Sequence, residues 1–532
     1  MLLLSCAFVT RLRKLAPVGL AALSGVIYFL GFIGWDQWYL EWLAFAPLVL
    51  ALDRMTTGRR AFFLSWWMGL VTHMGGYYWI VHLLMDFASF PLPLAVLGYV
   101  VLCLAQGSLF AFSGWLAFML HRRTGIALGW TIPVGLVAAE FVWPLIFPSY
   151  TANSQAFVPV LTQIADLGGV LLLSGVIALV GGALGEIALS LLDKRPLPRA
   201  LPLTAAVLVA LTLVYGLLRL HQIDLRDRAL PTLKVAIVQA NVGEADKHLH
   251  VREGIARFRD MTDEAMKTPG LGLVVWPESG FNQAVFTGAN LTRHVATEVK
   301  VPMFVGAVRA EHDPDGTWRH WNSILAVAPG GQVVASYDKI KLLIFGESLP
   351  GNDTFPGFFK WLLEKGILPF LSTFQTGTSF APLPVGPWRL SADVCYEDIL
   401  PRHISALMAA PDPSGEPPHA MFNGTNDSWY GPVEPRIHLA LATFRSIEHR
   451  RWLIRSTATG ISAFIDSAGR VVQQSEFEKA QTLVQDVPMV PSGRTVYAVL
   501  GDWLGWLALA ASVFAIVQRR WRPAPTEANK RG

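Results

Sequence analysis

The chain has 532 residues, 52% of them hydrophobic and only 15% charged, with a mean hydropathy of +0.41. Soluble domains carry roughly a quarter charged residues, so this balance excludes an ordinary soluble protein and predicts one that lives in a membrane. The net charge of +4 is too small to argue for nucleic acid, and no such partner is expected.

The apolar residues are unevenly spread. They dominate residues 1 to about 220 and a short piece near the C-terminus. The stretch between, roughly 229–492, has ordinary globular composition and is long enough to bury a core of its own. The expected organisation is a multispan membrane region over 1–224, a globular domain over 229–492, and a last span with a tail over 495–532.

Arg11, Arg13 and Lys14 precede an apolar run from about Pro17 to Gly34. No small-residue cleavage site follows, so the run reads as a span and not as a signal peptide. Seven candidate spans occupy about 17–34, 39–53, 61–84, 92–119, 126–145, 168–192 and 200–219, and an eighth about 497–518. A bilayer needs ~20 apolar residues per span; the second run is short and the fourth long. Cations cluster at alternate connections: Arg54, Arg59 and Arg60, then Arg122 and Arg123, then Lys194, Arg195 and Arg199, then Arg519, Arg520 and Arg522. The other connections carry Asp36, Asp86 or no charge over 146–160. Positive residues favour the cytoplasmic side. Both termini are then expected in the cytoplasm and the globular region outside it. Within the spans, His73, His82, Glu140 and Asp166 are candidate functional groups, each weighed against a structural hydrogen bond between helices. The spans show no paired internal charges of the kind that line ion pathways.

The globular region alternates between strand and helix patterns. Strands are expected at Leu233–Asn241, Leu273–Trp276 and Val301–Val308, and a hairpin at Trp321–Val327 and Val333–Tyr337 around Pro329-Gly330-Gly331. Further strands are expected at Leu390–Cys395, His419–Asn423, Arg455–Thr459, Ser462–Ile465 and Val471–Gln474. Helices are expected at Glu253–Met266, Leu291–Val299, Pro401–Ala410 and Arg436–Arg450. Alternation of this kind predicts an α/β domain with helices covering sheet faces.

Only three cysteines occur, Cys6, Cys103 and Cys395, and the first two lie in apolar surroundings. Cys395 is the sole thiol of the polar half, so no disulfide can form within that half. It is either a small buried hydrophobe or a nucleophile. A nucleophile needs a base and a group to hold the charge that develops. Glu278 follows the strand that ends at Trp276, and Lys339 follows the one that ends at Tyr337. Reactive groups cluster at the carboxyl ends of strands in such domains, and a carboxylate, an amine and a thiol make a kit for acyl transfer. Alone, Glu278 reads as a turn residue and Lys339 as a surface lysine.

Trp276-Pro277-Glu278-Ser279, Tyr337-Asp338-Lys339 with Phe345-Gly346-Glu347, and Asp393-Val394-Cys395-Tyr396-Glu397 together resemble the signature of the nitrilase superfamily. With the multispan region before it and one span after it, the whole chain resembles the membrane-embedded branch, the apolipoprotein N-acyltransferase family. Trp321-Asn322-Ser323, the run Thr425–Gly431, and Arg445-Ser446-Ile447-Glu448 with Arg451 and Thr459-Gly460 add to the match. The chain departs from the pattern at Ile344, where the family often has proline, and near Lys247-His248, where a tryptophan is expected.

The resemblance implies a nitrilase-like αββα sandwich inserted between seven transmembrane helices and a C-terminal eighth. It implies a catalytic triad of Glu278 as base, Lys339 as oxyanion stabiliser and Cys395 as nucleophile, with Glu347, Tyr396 and Glu397 as supporting residues. It further implies a bacterial inner-membrane enzyme with a periplasmic catalytic domain. That enzyme moves a fatty acyl group from a phospholipid to the α-amine of a diacylated apolipoprotein through a thioester. Neither a cofactor nor a metal is expected, and the chain is expected to be a monomer. The alternatives are a membrane-anchored amidase that gives its thioester to water, and a non-catalytic scaffold or transporter. Residues 355–370, rich in phenylalanine and leucine, read as a lid dipping into the membrane interface or as a helix packed on the domain.

Overall fold

An apolar chain in a bilayer must satisfy its backbone within each segment, which selects helices. The computed structural model describes residues 2–86, 89–196, 198–243, 250–286, 288–343, 347, 357, 361, 374–428 and 430–517. Its apolar parts fold as helices over Leu2–Gly31, Phe45–Asp53, Gly58–Gly76, Leu92–Thr124, Leu128–Val142, Ala165–Asp193, Ala200–Arg228 and Trp503–Val517. Among the described residues, Leu92–Thr124, Ala165–Asp193 and Ala200–Arg228 are long and apolar enough to cross a membrane. Ala16–Gly31, Leu128–Val142 and Trp503–Val517 are shorter apolar segments.

The second expected span differs from a continuous helix. It is a 3-10 segment, Trp38–Leu43, followed by the nine-residue helix Phe45–Asp53. Nine residues rise only ~14 Å, about half the hydrocarbon thickness. Pro47 explains the break, since it has no N–H to offer the carbonyl of Leu43.

The chain divides into two compact units, Met1–Val81 with Pro91–Leu220 and Val499–Gly532, and His82–Phe90 with His221–Ala498. In the first, small residues let helices touch. A Cβ on Gly69 would lie 2.4 Å from the carbonyl oxygen of Gly107, and one on Gly182 2.5 Å from that of Gly129. Close approach of this kind is how helices pack where no hydrophobic effect drives them together.

The second unit is built on two sheets. The first contains β1 (Thr232–Gln239), β2 (Leu273–Val275), β3 (Phe281–Phe286), β4 (Met303–His312), β5 (Trp318–Val327), β6 (Val333–Asp338) and the late strand β13 (Gln481–Pro488), in the order β13-β1-β2-β4-β5-β6, with β3 also on β4. The second contains β7 (Leu383–Val385), β8 (Trp388–Val394), β9 (Ala420–Thr425), β10 (Leu453–Thr457), β11 (Ala463–Ile465) and β12 (Val471–Gln474), in the order β12-β11-β10-β9-β8-β7. Both sheets are mixed. β1, β2 and β4 run parallel, as do β8, β9 and β10.

The inner faces pack on each other: Ile237, Val275 and Ile324 share a core with Leu390, Ala392 and Ile454, and the rings of Phe304 and Phe422 meet at 5.3 Å. The outer face of the first sheet is covered by the helix Val251–Ala265, through Phe258 and Ala265. Ile404 and Leu407 of the helix Pro401–Ala409, and Leu439 and Ala442 of the helix Glu434–His449, pack with the second sheet's core. The layers are therefore helix, sheet, sheet, helix.

Leu291–Val299 is not the helix its spacing suggests. Leu291, Val295, Ala296 and Val299 are buried, but the backbone turns, with Arg293 at φ 67°. Asn290 explains the start: its side chain accepts the N–H of Thr292 at 2.8 Å, an alternative to helical bonding. β3, β7 and β13 were not anticipated. Residues 244–249, 344–346, 348–356, 358–360, 362–373 and 429 lie outside the described residues. That set takes in Lys247-His248, Ile344, Phe345-Gly346, Trp429 and all of the apolar 355–370 stretch except Gly357 and Trp361.

Candidate active site

β2 is three fully buried residues, and the chain leaves it through Trp276-Pro277 to Glu278. Gly306 on β4 makes this exit possible, since a Cβ there would stand 2.1 Å from the carbonyl oxygen of Pro277 and 2.7 Å from the Cα of Glu278. Glu278 is 7% exposed. β6 ends at Asp338, whose carboxylate is taken by Arg309, at 2.9 and 2.7 Å, and by Ser323 at 2.6 Å. Lys339 follows it and is 1% exposed. Its backbone is pinned on both sides, N–H to the carbonyl of Asn322 at 2.8 Å and C=O from the N–H of Gly377 at 2.9 Å.

The side chains converge. Lys339 Nζ lies 2.7 Å from Glu347 Oε2 and 3.8 Å from Glu278 Oε1. Asn322 Nδ2 donates to Glu278 Oε1 at 2.6 Å and to Glu347 Oε1 at 2.9 Å, so one amide joins the two carboxylates. The N–H of Leu343 donates to Glu347 Oε2 at 2.9 Å. Burial opposes the charge of Lys339, but Glu347 and then Glu278 outweigh it and raise its pKa, which favours the ammonium.

Cys395 directly follows β8 in a left-handed backbone conformation, φ 56°, and is buried. That conformation costs a non-glycine residue roughly 1–2 kcal/mol. Burial, then the charge of Glu278, push the thiol well above its usual pKa, and Lys339 and a hydrogen bond with Thr425 pull the other way. The balance favours the thiol over the thiolate. Glu278, Lys339 and Cys395 thus share one electrostatic neighbourhood.

Glu397 does something else. It is fully buried and accepts from the N–H groups of Val394, Ile340 and Lys341 at 2.8, 2.8 and 2.7 Å, and from the Tyr337 hydroxyl at 2.9 Å. It ties the end of β8 to the segment carrying Lys339. Burial pushes its carboxyl up to about 7, opposed first by Lys339. Tyr396 is half-buried beside the core, and burial pushes its phenol up to about 12.

Asn322 is the residue whose part sequence reasoning missed. It lies in Trp321-Asn322-Ser323, and its signal in the sequence is an amide leading into the apolar run Ile324–Val327. The four membrane candidates are accounted for by bonds close at hand. His73 Nδ1 pairs with the carbonyl of Gly69 at 2.8 Å, and Glu140 Oε1 accepts the N–H and hydroxyl of Thr151, both at 2.7 Å. Asp166 takes the Tyr215 hydroxyl at 2.7 Å and pairs with Arg219 at 3.0 Å, a paired charge that the sequence reading did not anticipate. His82, in the second unit, pairs with Asp86 at 2.9 Å. Asp427, Glu434 and His438 bring ligand-type atoms within 4.8 Å of one another. Both ring nitrogens of His438 are already engaged, by Asp398 at 2.7 Å and Asp427 at 3.0 Å, which makes the cluster an ion-pair network.

A two-sheet sandwich that gathers a buried thiol, an ammonium and two carboxylates is the arrangement of a nitrilase-like, carbon–nitrogen hydrolase domain. The carbon-nitrogen hydrolase family model matches residues 234–495, and that of the apolipoprotein N-acyltransferase N-terminal domain matches 24–183. Among solved structures, Nit3 of Saccharomyces cerevisiae, a member of branch 10 of the nitrilase superfamily, is similar at 17% identity and a TM-score of 0.35, covering 48% of this chain and 90% of its own. The apolipoprotein N-acyltransferase of Geobacter metallireducens is 30% identical over 517 residues, 94% of this chain and 95% of that one. That of Azotobacter vinelandii is 31% identical over 533 residues, 94% of this chain and 95% of its own. The chain belongs to the apolipoprotein N-acyltransferase family.

Proposed function

We propose that this protein transfers a fatty acyl group from a phospholipid to the α-amine of the S-diacylglyceryl-cysteine at an apolipoprotein N-terminus, through a thioester on Cys395. The observation that carries the reading is the meeting of Glu278, Lys339 and Glu347 in the electrostatic neighbourhood of a buried Cys395, in a chain of this family.

In the first half, Sγ attacks the ester carbonyl of the phospholipid while Glu278 takes the thiol proton. Lys339, with the backbone N–H that follows Cys395, stabilises the oxyanion. Glu278 returns the proton to the departing lysophospholipid oxygen, leaving the acyl group on sulfur. In the second half, the α-amine of the lipoprotein attacks the thioester and gives a proton to Glu278. Collapse forms the amide, and the proton restores the thiol. Glu347 holds Lys339 in place throughout. Tyr396 shapes the site, and Glu397 fixes the strand end that carries the thiol.

Both substrates are anchored by acyl chains, which suits a catalytic domain carried on membrane spans. The alternating cationic clusters support eight spans in a bacterial inner membrane, with both termini in the cytoplasm and the catalytic domain on the periplasmic side. The test is transfer from a defined phospholipid to a synthetic diacylated lipopeptide, with the purified protein in detergent. Triacylated peptide and lysophospholipid in equal amounts are expected. Release of free fatty acid without peptide acylation would identify a hydrolase instead, and no turnover would point to a non-catalytic role.

A further inference from the structure

β8, β9 and β10 are adjacent and parallel, and their register sets Asp393, Asn423 and Arg455 side by side. All three are at most 1% exposed. Three polar side chains in one row of a buried sheet are costly unless each is paired. Here they are paired with one another and with the turn that carries Cys395. Asn423 Nδ2 donates to Asp393 Oδ1 at 2.6 Å and to the carbonyl oxygen of Cys395 at 2.9 Å. Its Oδ1 accepts from Arg455 Nη1 at 2.9 Å.

Arg455 reaches two further carboxylates, Asp398 Oδ2 at 2.8 Å and Asp427 Oδ2 at 2.6 Å. His438 bridges the other oxygens of the same two, Asp398 Oδ1 at 2.7 Å and Asp427 Oδ1 at 3.0 Å. Two cations and two anions close a ring. Cys395 and Asp398 belong to one short turn, Cys395–Ile399, so the network grips that turn at both ends. Thr425, whose hydroxyl lies within reach of the thiol, donates to Asp427 at 3.1 Å. The mechanism above uses none of these groups, yet every one of them reaches the nucleophile within two hydrogen bonds or through its turn.

We propose that Asn423, clamped by the ring of Arg455, Asp398, His438 and Asp427, is a positioning residue that holds Cys395 in its left-handed backbone conformation and so aims Sγ at the acyl carbonyl. The inference rests on Cys395 as nucleophile. Asn423 touches no substrate; it acts through the Cys395 carbonyl. Without its amide, the turn is free to relax toward an ordinary backbone, and the sulfur swings off line.

The test is the rate of acyl-enzyme formation with phospholipid, followed by intact mass, for wild type, Asn423→Ala and Arg455→Lys, together with the KM for phospholipid. Asn423→Ala is expected to slow acylation about 100-fold, the order expected for a misplacement of ~1 Å, with KM changed less than about twofold. Arg455→Lys keeps the charge but cannot span three acceptors with one planar fork, and is expected to slow acylation about tenfold. If Asn423→Ala does not fold, Arg455→Lys decides by the same criterion. A folded variant that acylates at the wild-type rate, or loses only KM, overturns the inference. A wild type that never takes up an acyl group overturns the nucleophile reading and this inference with it, so the two failures are told apart.

Discussion

The Lys339 ammonium stands 2.7 Å from Glu347 Oε2, a full ångström nearer than it stands to Glu278. Glu347 is therefore its nearer partner, while Glu278 accepts from Asn322 at 2.6 Å. Glu347→Gln is expected to slow acylation about 100-fold by freeing Lys339 to pair with Glu278, with little change in Tm. Equal activity in a folded Glu347→Gln protein would show that the pairing has no catalytic weight.

Glu278→Gln separates the charge of this residue from its proposed role as base. The negative charge of Glu278 raises the Cys395 pKa, after burial itself. Removing it should let the thiolate form at lower pH, so the pH profile of Cys395 alkylation shifts downward. Acyl transfer should nevertheless fall by at least about 100-fold, since no base remains. A downward-shifted thiol with transfer retained would reassign the base.

Glu397 and Glu347 are expected to behave oppositely. Glu397 is fully buried and gathers four donors, and an amide in its place would turn an NH2 group toward some of them. Glu397→Gln should therefore cost about 2–4 kcal/mol of stability and lower Tm by several degrees. Thermal unfolding in detergent checks this. An unchanged Tm would mean that the tether carries no stability.

His438 links stability to pH. Burial and Arg455 oppose its charge, but Asp398 and Asp427 outweigh them and lift it to about 10 from an ordinary 6.5. Between those values the folded protein keeps a proton that the unfolded chain has lost, so stability falls as pH rises. Glu434, the other titratable group facing it, is pushed up to about 8 by burial and then Asp427, and acts in the same direction. Tm should decline from pH 7 to 10, and His438→Gln should lower Tm at pH 7 and flatten the decline. Parallel curves for the two proteins would contradict the charged imidazole.

The strand ends that carry Glu278, Lys339 and Cys395 could be read in the sequence because short apolar runs there stop abruptly at polar residues. Burial explains the failures as well as the successes. Leu291–Val299 has helical spacing because four of its residues are buried, but Asn290 and a positive φ at Arg293 make it a turn. β13 pairs with β1 across more than two hundred residues, a distance no local pattern reports. The Asn322 bridge and the Asp393–Asn423–Arg455 row depend on register between strands, which appears only once the sheets are assembled.

The central claim is a covalent acyl group on one sulfur. The measurement is the intact mass of the purified protein after incubation with phospholipid, wild type beside Cys395→Ala. The wild type should gain the mass of one fatty acyl group, labile to hydroxylamine and discharged onto the amine of an added diacylated lipopeptide, while Cys395→Ala gains nothing. A folded wild type that never gains an acyl group, or a Cys395→Ala protein that gains the same one, would contradict it.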